Sequence, residues 1–317
     1  MNLPHPTGLH HLTAIATDAQ SNIDFYAGLL GLRLVKNTVN FDDPSAYHLY
    51  YGDEHGTPGS IVTFFYWPGA TRGQVGSGQV TAITLAAPAA ALDFWRERLE
   101  RHGVTVTPRH RFGEDVLAFS DPDGIPLEIV GVAADPRPGW TGAGISPAHA
   151  IHGLHTAELT VREAGPTEDL LTTVMGWSLV RRDAHRARFT AGAGGPGHFV
   201  DVIADPSAPR GTGGAGTVHH LAFRVPDDGA ELAMQGRIAD AGYHVSDVRD
   251  RDYFRSIYYR ERGGILFEIA TDTPGFAVDE AVTALGQTLQ LPRQFRSARS
   301  RIEALLPSLR AARRYSP

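Results

Sequence analysis

The sequence predicts an α+β fold of four βαβββ modules, forming two domains with curved mixed β-sheets and followed by a C-terminal helical tail. Three observations predict it. A strand-like segment opening on glycine occurs four times: GLHHLTAIA from Gly8, GQVTAITLA from Gly78, GLHTAELTV from Gly153 and GTVHHLAFRV from Gly216. Each is followed by apolar residues at helical spacing, then by short runs of β-branched and aromatic residues separated by turn formers. A stretch rich in proline and glycine, residues 135–147, parts the second repeat from the third.

Taken in order, the first module spans about residues 8–67, with a helix over 22–31 that stops at Gly31. The second spans about 78–133, with its helix over 91–100 ending near Gly103. The third, about 151–205, and the fourth, about 216–271, have helices over 167–176 and 229–242. The second and fourth modules close on matching strands, DGIPLEIV (123–130) and GGILFEIA (263–270). These spans give an N-terminal domain over 1–140 and a C-terminal domain over 150–276. In the tail, 277–317, residues 278–289 and 294–305 have helical spacing, the second rich in arginine, and read as a solvated clamp.

Composition narrows the function. Of the 317 residues, 42% are hydrophobic and 20% charged, the balance of a folded globular chain. A net charge of −6 offers no basic footprint for nucleic acid. The absence of cysteine excludes disulfides, thiolate metal sites and a thiol nucleophile. No apolar stretch approaches the roughly 20 residues of a membrane span, and the N-terminus lacks a signal-peptide pattern, so a cytoplasmic protein is expected. Fifteen histidines leave nitrogen and oxygen as the available metal ligands.

Two His-His pairs fall at the same place in two modules, His10-His11 and His219-His220. Adjacent strand residues point to opposite faces, so one of each pair is expected at a shared site. In the fourth module His219 shares a face with Leu221, Phe223 and Val225, which suits packing under a helix, whereas His220 shares the other with Ala222 and Arg224. In the closing strand Glu268 lies opposite Ile265, Phe267 and Ile269. The set is therefore His11, His220 and Glu268. Two histidines and a carboxylate form the facial triad that suits Fe(II) and leaves positions open; Mn, Zn and Ni accept the same donors. The third module has His155 and Thr156 at the corresponding pair, and the second has Thr81 at the ligand position, with Glu128 matching Glu268 but no histidine. One metal site per chain is expected.

Beyond these residues, LHHLT (9–13), DDPSAYHLYYGD (42–53), GTPG (56–59), HHLAF (219–223), RDYFRSIYYR (251–260) and GGILFE (263–268) resemble the vicinal oxygen chelate superfamily. Within it the chain is similar to the ring-cleaving dioxygenases that open hydroquinones. The resemblance runs from residue 8 to about 290. It implies Fe(II) on His11, His220 and Glu268, with His10, Thr13, His219, Arg251 and Tyr258 around it. It also implies an aromatic diol and O2 as substrates, with both oxygen atoms entering a ring-opened product and no external reductant. Arg251 and Tyr258 would bond a ring hydroxyl or developing anionic oxygens. His48 and His55 read as structural. Arg255 stands where one similar dioxygenase carries an acid, which adds positive charge near the pocket mouth. Assembly into a homo-oligomer is left open. Two alternatives share the fold. A glyoxalase-type isomerase or lyase on Zn or Ni would want a second carboxylate on the metal. A non-catalytic aromatic-binding protein would leave the triad incomplete.

Overall fold

Alternating strands with one apolar face must bury that face, and here the helices cover it. The computed structural model describes residues 4–67 and 69–315. Residues 1–3 of the expected first domain and 316–317 of the expected tail lie outside the described residues. The first module comprises β1 (Gly8–Ala16), α1 (Ala19–Ile23), β2 (Arg33–Val39), β3 (Tyr47–Gly52) and β4 (Ile61–Tyr66). Asp18 caps α1, accepting from the Ser21 N–H at 2.6 Å, and α1 runs on as a π-helical turn over Asp24–Leu29. The second comprises β5 (Gln79–Pro88), α2 (Leu92–Arg101), β6 (Thr107–Arg111), β7 (Glu114–Ser120) and β8 (Pro126–Val132). The third comprises β9 (Gly153–Val161), α3 (Gly165–Asp169, continued by a π turn over Leu170–Val174), β10 (Ser178–Asp183), β11 (Arg186–Thr190) and β12 (Phe199–Ala204). The fourth comprises β13 (Val218–Val225), α4 (Asp228–Asp240), a two-residue β14 (Arg249–Asp250), β15 (Phe254–Arg260) and β16 (Leu266–Pro274).

The strands form two curled mixed sheets of eight. One runs β14-β15-β16-β13-β1-β4-β3-β2, the other β10-β11-β12-β9-β5-β8-β7-β6. Each sheet thus draws one module from either side of the proline- and glycine-rich stretch. Modules one and four share the first sheet, and modules two and three the second, so the spans 1–140 and 150–276 are not the units that share hydrogen bonds. At the centre of the first sheet, β1 pairs antiparallel with β13; β4 and β16 flank them in parallel. Phe223, Phe267, Ile269, Met234 and Ile238 are fully buried in the core of the fourth module. Each such side chain contributes roughly 1.5–3 kcal/mol of burial.

The tail departs from expectation in part. It ends in a helix, α5 (Arg299–Leu305), after a 3₁₀ segment over Arg293–Ala298. Residues 278–289, expected as a helix, instead form an irregular strap with short 3₁₀ turns. Tertiary contacts override the helical spacing. Lys36, fully buried on β2, draws in Asp279 and Glu280 at 2.6 Å each. Gly286 sits at φ +75, where a Cβ would strike the Leu34 carbonyl. Leu289 then bridges to Asn37 along the edge strand. The strap covers an edge that would otherwise present unpaired backbone groups.

Candidate metal centre

Two β-bulges build the site. Along the β1–β13 pair, Leu9 opposes Phe223 and His11 opposes Ala222, which leaves His10 as an extra residue on β1. Further on, Thr13 opposes His220 and Ala14 opposes Val218, which leaves His219 as an extra residue on β13. A bulge re-aims the side chains beside it. Strict alternation would turn His10 and His219 away from their neighbours. Instead the Nδ1 atoms of His10 and His11 lie 2.9 Å apart, and those of His219 and His220 lie 2.8 Å apart.

These contacts set the tautomers. His10 Nε2 lies 3.2 Å from the Thr271 carbonyl, which requires the proton there and leaves His10 Nδ1 to accept from His11 Nδ1–H. His11 Nε2 then carries a free lone pair. When His220 donates its Nδ1–H to His219 Nδ1, His220 Nε2 is likewise left with a free lone pair. The two Nε2 atoms face each other at 3.3 Å. Glu268, paired through β16 with Ala222 of β13, brings its Oε2 to 3.3 Å from His11 Nε2 and 2.9 Å from His220 Nε2. Among the described residues, this is the one group of histidine and carboxylate atoms all within 4.8 Å of one another.

The carboxylate explains what the gap can hold. Glu268 is completely buried, and its Oε1 accepts from the Tyr258 hydroxyl at 3.1 Å, whereas Oε2 has no partner with hydrogen-bond geometry. Burial would raise the carboxyl pKa, but the His11 and His220 rings outweigh it and hold it well below the usual range. Burial lowers the His220 ring despite the opposing charge of Glu268. A buried anionic oxygen with no donor, facing two imidazole lone pairs, fits a divalent cation.

A small cavity of about 30 Å³ opens on this group. Phe65 and Phe254 wall it beside the histidines, and Phe41, Asp42 and Arg251 stand at the rim. Arg251 pairs with Asp42 at 3.2 Å, and its guanidinium lies 5.6 Å from the ring centres of both Phe41 and Tyr258. Arg251 and Tyr258 therefore line the cavity, but Tyr258 spends its hydroxyl proton on Glu268. Thr13 does not line it. Its hydroxyl, fully buried, lies 3.2 Å from that of Thr63.

His48, read from the sequence as structural, does line the cavity. Its Nε2 lies 2.6 Å from Thr63 Oγ1 and its Nδ1 2.9 Å from the Tyr50 hydroxyl. Burial pushes the ring's pKa well down, so it is neutral at ordinary pH. The signal was alternation: His48 and Tyr50 share a face of β3 opposite Leu49. His55 is exposed, 4.0 Å from Glu54. Arg255 turns out under α4 to meet Asp228 at 2.9 Å, so it adds no charge at the mouth; on β15 it alternates with Phe254 and Ser256, which face inward.

The second sheet repeats the geometry without the donors. Its bulged residues are Thr81 and His155. The register therefore places Ala82, not Thr81, at the position equivalent to His220, and Thr156 at that of His11. Glu128 is present, but Arg111, Thr84 and Arg109 surround it. An arginine neutralises the charge that Glu268 leaves for the space between the histidines.

The model of the Glyoxalase/Bleomycin resistance protein/Dioxygenase superfamily matches residues 8–129 and 153–269. The sequence is 48% identical over 301 residues to MhqO of Bacillus subtilis (strain 168), named as a candidate ring-cleaving dioxygenase; the match covers 95% of this chain and 96% of that one. It is 34% identical over 311 residues to the chlorohydroquinone/hydroquinone 1,2-dioxygenase of Sphingobium indicum, covering 95% and 97%. A crystal structure named as a candidate dioxygenase of Bacillus subtilis superposes with a TM-score of 0.95 at 46% identity, over 98% of this chain and 100% of that one. Glyoxalase I of Zea mays shares the fold, with a TM-score of 0.63 at 15% identity over 84% and 92%.

Proposed function

Because the chain belongs to the Glyoxalase/Bleomycin resistance protein/Dioxygenase superfamily, we propose that it is a ring-cleaving dioxygenase, using Fe(II) on His11, His220 and Glu268 to open a hydroquinone or related aromatic diol with O2. The observation that carries this reading is the convergence of two Nε2 atoms and one donorless carboxylate oxygen at the end of an aromatic-walled cavity. Fe(II) held by His11, His220 and Glu268 would supply open coordination positions and redox chemistry for a phenol and dioxygen.

The protein's own residues do the rest. Phe65 and Phe254 offer flat apolar walls to a ring and keep water from it. Arg251, held over Tyr258 and Phe41, sits where a hydroquinone's far hydroxyl or a developing anionic oxygen would find a cation. Tyr258 keeps Oε1 of Glu268 occupied and so fixes which oxygen faces the metal position. His10 and His219 orient His11 and His220 through their Nδ1 atoms.

A glyoxalase-type reaction would be served by a second carboxylate at the metal. Asp42, which lines the cavity, is held by Arg251 at its rim. Oxygen-electrode assays of the Fe(II)-loaded protein with a panel of para- and ortho-diols test the reading. One dioxygen consumed per diol, without NADH or flavin, is the expected result, with para-diols turned over faster. Turnover under strict anaerobiosis would overturn it.

A further inference from the structure

A second cavity, about 730 Å³, runs between the two sheets on the far side of the histidines from the aromatic pocket. Four arginines reach it: Arg162 from the end of β9, Arg210 from the loop before β13, and Arg260 and Arg262 from the β15–β16 turn. Facing them is one carboxylate, Glu163. The contacts that these guanidiniums do make leave most of their donors free. Arg162 reaches the Ala208 carbonyl at 3.4 Å, Arg260 the Gly264 carbonyl at 2.6 Å, and Arg262 lies 5.4 Å from the Tyr243 ring centre. None of the four is paired with a carboxylate among the described residues. Elsewhere the chain pairs its arginines closely, as in Arg188 with Asp201 at 2.7 Å and Arg224 with Asp272 at 2.6 Å. In a protein of net charge −6, four unpaired arginines around one cavity are a local reversal of the overall balance.

Ile15, Val80, Val218 and Leu266 form an apolar patch within an otherwise polar lining. A bare inorganic anion would use the arginines and leave that patch wet. Arg162 comes from module three, Arg210 from the loop between modules three and four, and Arg260 and Arg262 from module four. Each guanidinium fork matches a carboxylate. We infer that this cavity is a second small-molecule site, taking an organic dianion with a short apolar body, a dicarboxylate. His219 and His220 both line the same cavity, and their rings touch. The occupant therefore lies against the back of one residue of the metal set, placed to couple its binding to that centre.

Isothermal titration of the full-length, metal-loaded protein with adipate, and with hexane-1,6-diol as its uncharged counterpart, tests the inference. Adipate is expected to bind, more weakly as salt rises, and the diol not to bind. Replacing Arg260 and Arg262 together by alanine should weaken adipate roughly ten- to a hundredfold. Arg162→Ala should weaken it as well, and Arg251→Ala, in the aromatic pocket, should leave it unchanged. The arginines are exposed, so metal content and melting temperature should hold in every cavity variant. Absence of adipate binding, equal binding of the diol, or binding lost only in Arg251→Ala would overturn the assignment. None of these outcomes depends on whether the protein cleaves aromatic rings.

Discussion

Tyr258 and Glu268 face each other across the β15–β16 ladder, with the Tyr258 hydroxyl donating to Oε1 at 3.1 Å while Oε2 points between two histidines. One phenol thus decides which carboxylate oxygen is left free. Tyr258→Phe is expected to weaken metal binding by about ten- to a hundredfold while keeping one metal per chain at saturation. Metal titration monitors it. Unchanged affinity would mean that Glu268 is held by burial alone.

His11→Ala, His220→Ala and Glu268→Ala should each lose bound metal. His155→Ala and Glu128→Ala, altered at the equivalent places of the second sheet, should retain it. Losing one of three donors costs orders of magnitude in affinity. Elemental analysis finding stoichiometric metal in all three variants of the first sheet would remove the assignment.

His10 and His219 have the same relation to their neighbours but different surroundings. His10 is 2% exposed and bonded to the Thr271 carbonyl, whereas His219 opens on the cavity between the sheets. Both alanine variants should keep the metal at reduced affinity. His10→Ala should also cost on the order of 1–3 kcal/mol of stability, because it leaves a buried carbonyl unpaired. His219→Ala should melt close to the parent. Thermal denaturation of the two side by side checks the difference.

Glu231 on α4 is 1% exposed, and neither carboxylate oxygen has a hydrogen-bond partner among the described residues. Burial, then the charge of Asp228, raise its pKa from 4.5 to about 7, against the opposing pull of Arg255. The fold therefore prefers the protonated acid. That stabilisation is complete below about pH 4.5 and is lost as pH rises through about 7. Glu231→Gln should raise the melting temperature at pH 8 and leave it nearly unchanged at pH 5. An equal effect at both pH values would refute the titration.

The modules, their four helices and the meeting of His11, His220 and Glu268 were legible because periodicity and turn residues are local signals. The bulges were not. A bulge shifts the register by one residue without altering the alternation around it, so His10 and His219 read as turned away when they touch their neighbours. The same blindness put Thr81 where Ala82 stands. Pairing of modules one with four is a long-range choice that no window of sequence reports. The stretch 278–289 has helical spacing, yet the buried Lys36 and the edge of β2 set its path from outside. His48 was visible by alternation on β3, but its nearness to His11 and His220 depends on the curl of the sheet.

The exchange of modules between sheets has a consequence for how the protein is made. His11 and His220 are separated by 209 positions, and the strand carrying Glu268 comes later still. A ribosome releasing this chain has extruded three whole modules before the first can close its own sheet. Such distant closure is slow, because the entropy of the intervening loop must be met before the contacts repay it. Until then His10 and His11 wait on a half-built sheet whose central edge is open. Tight metal uptake becomes a sign that the last module has docked on the first, and a cut in residues 135–147 before docking would leave two fragments, neither of which holds the set.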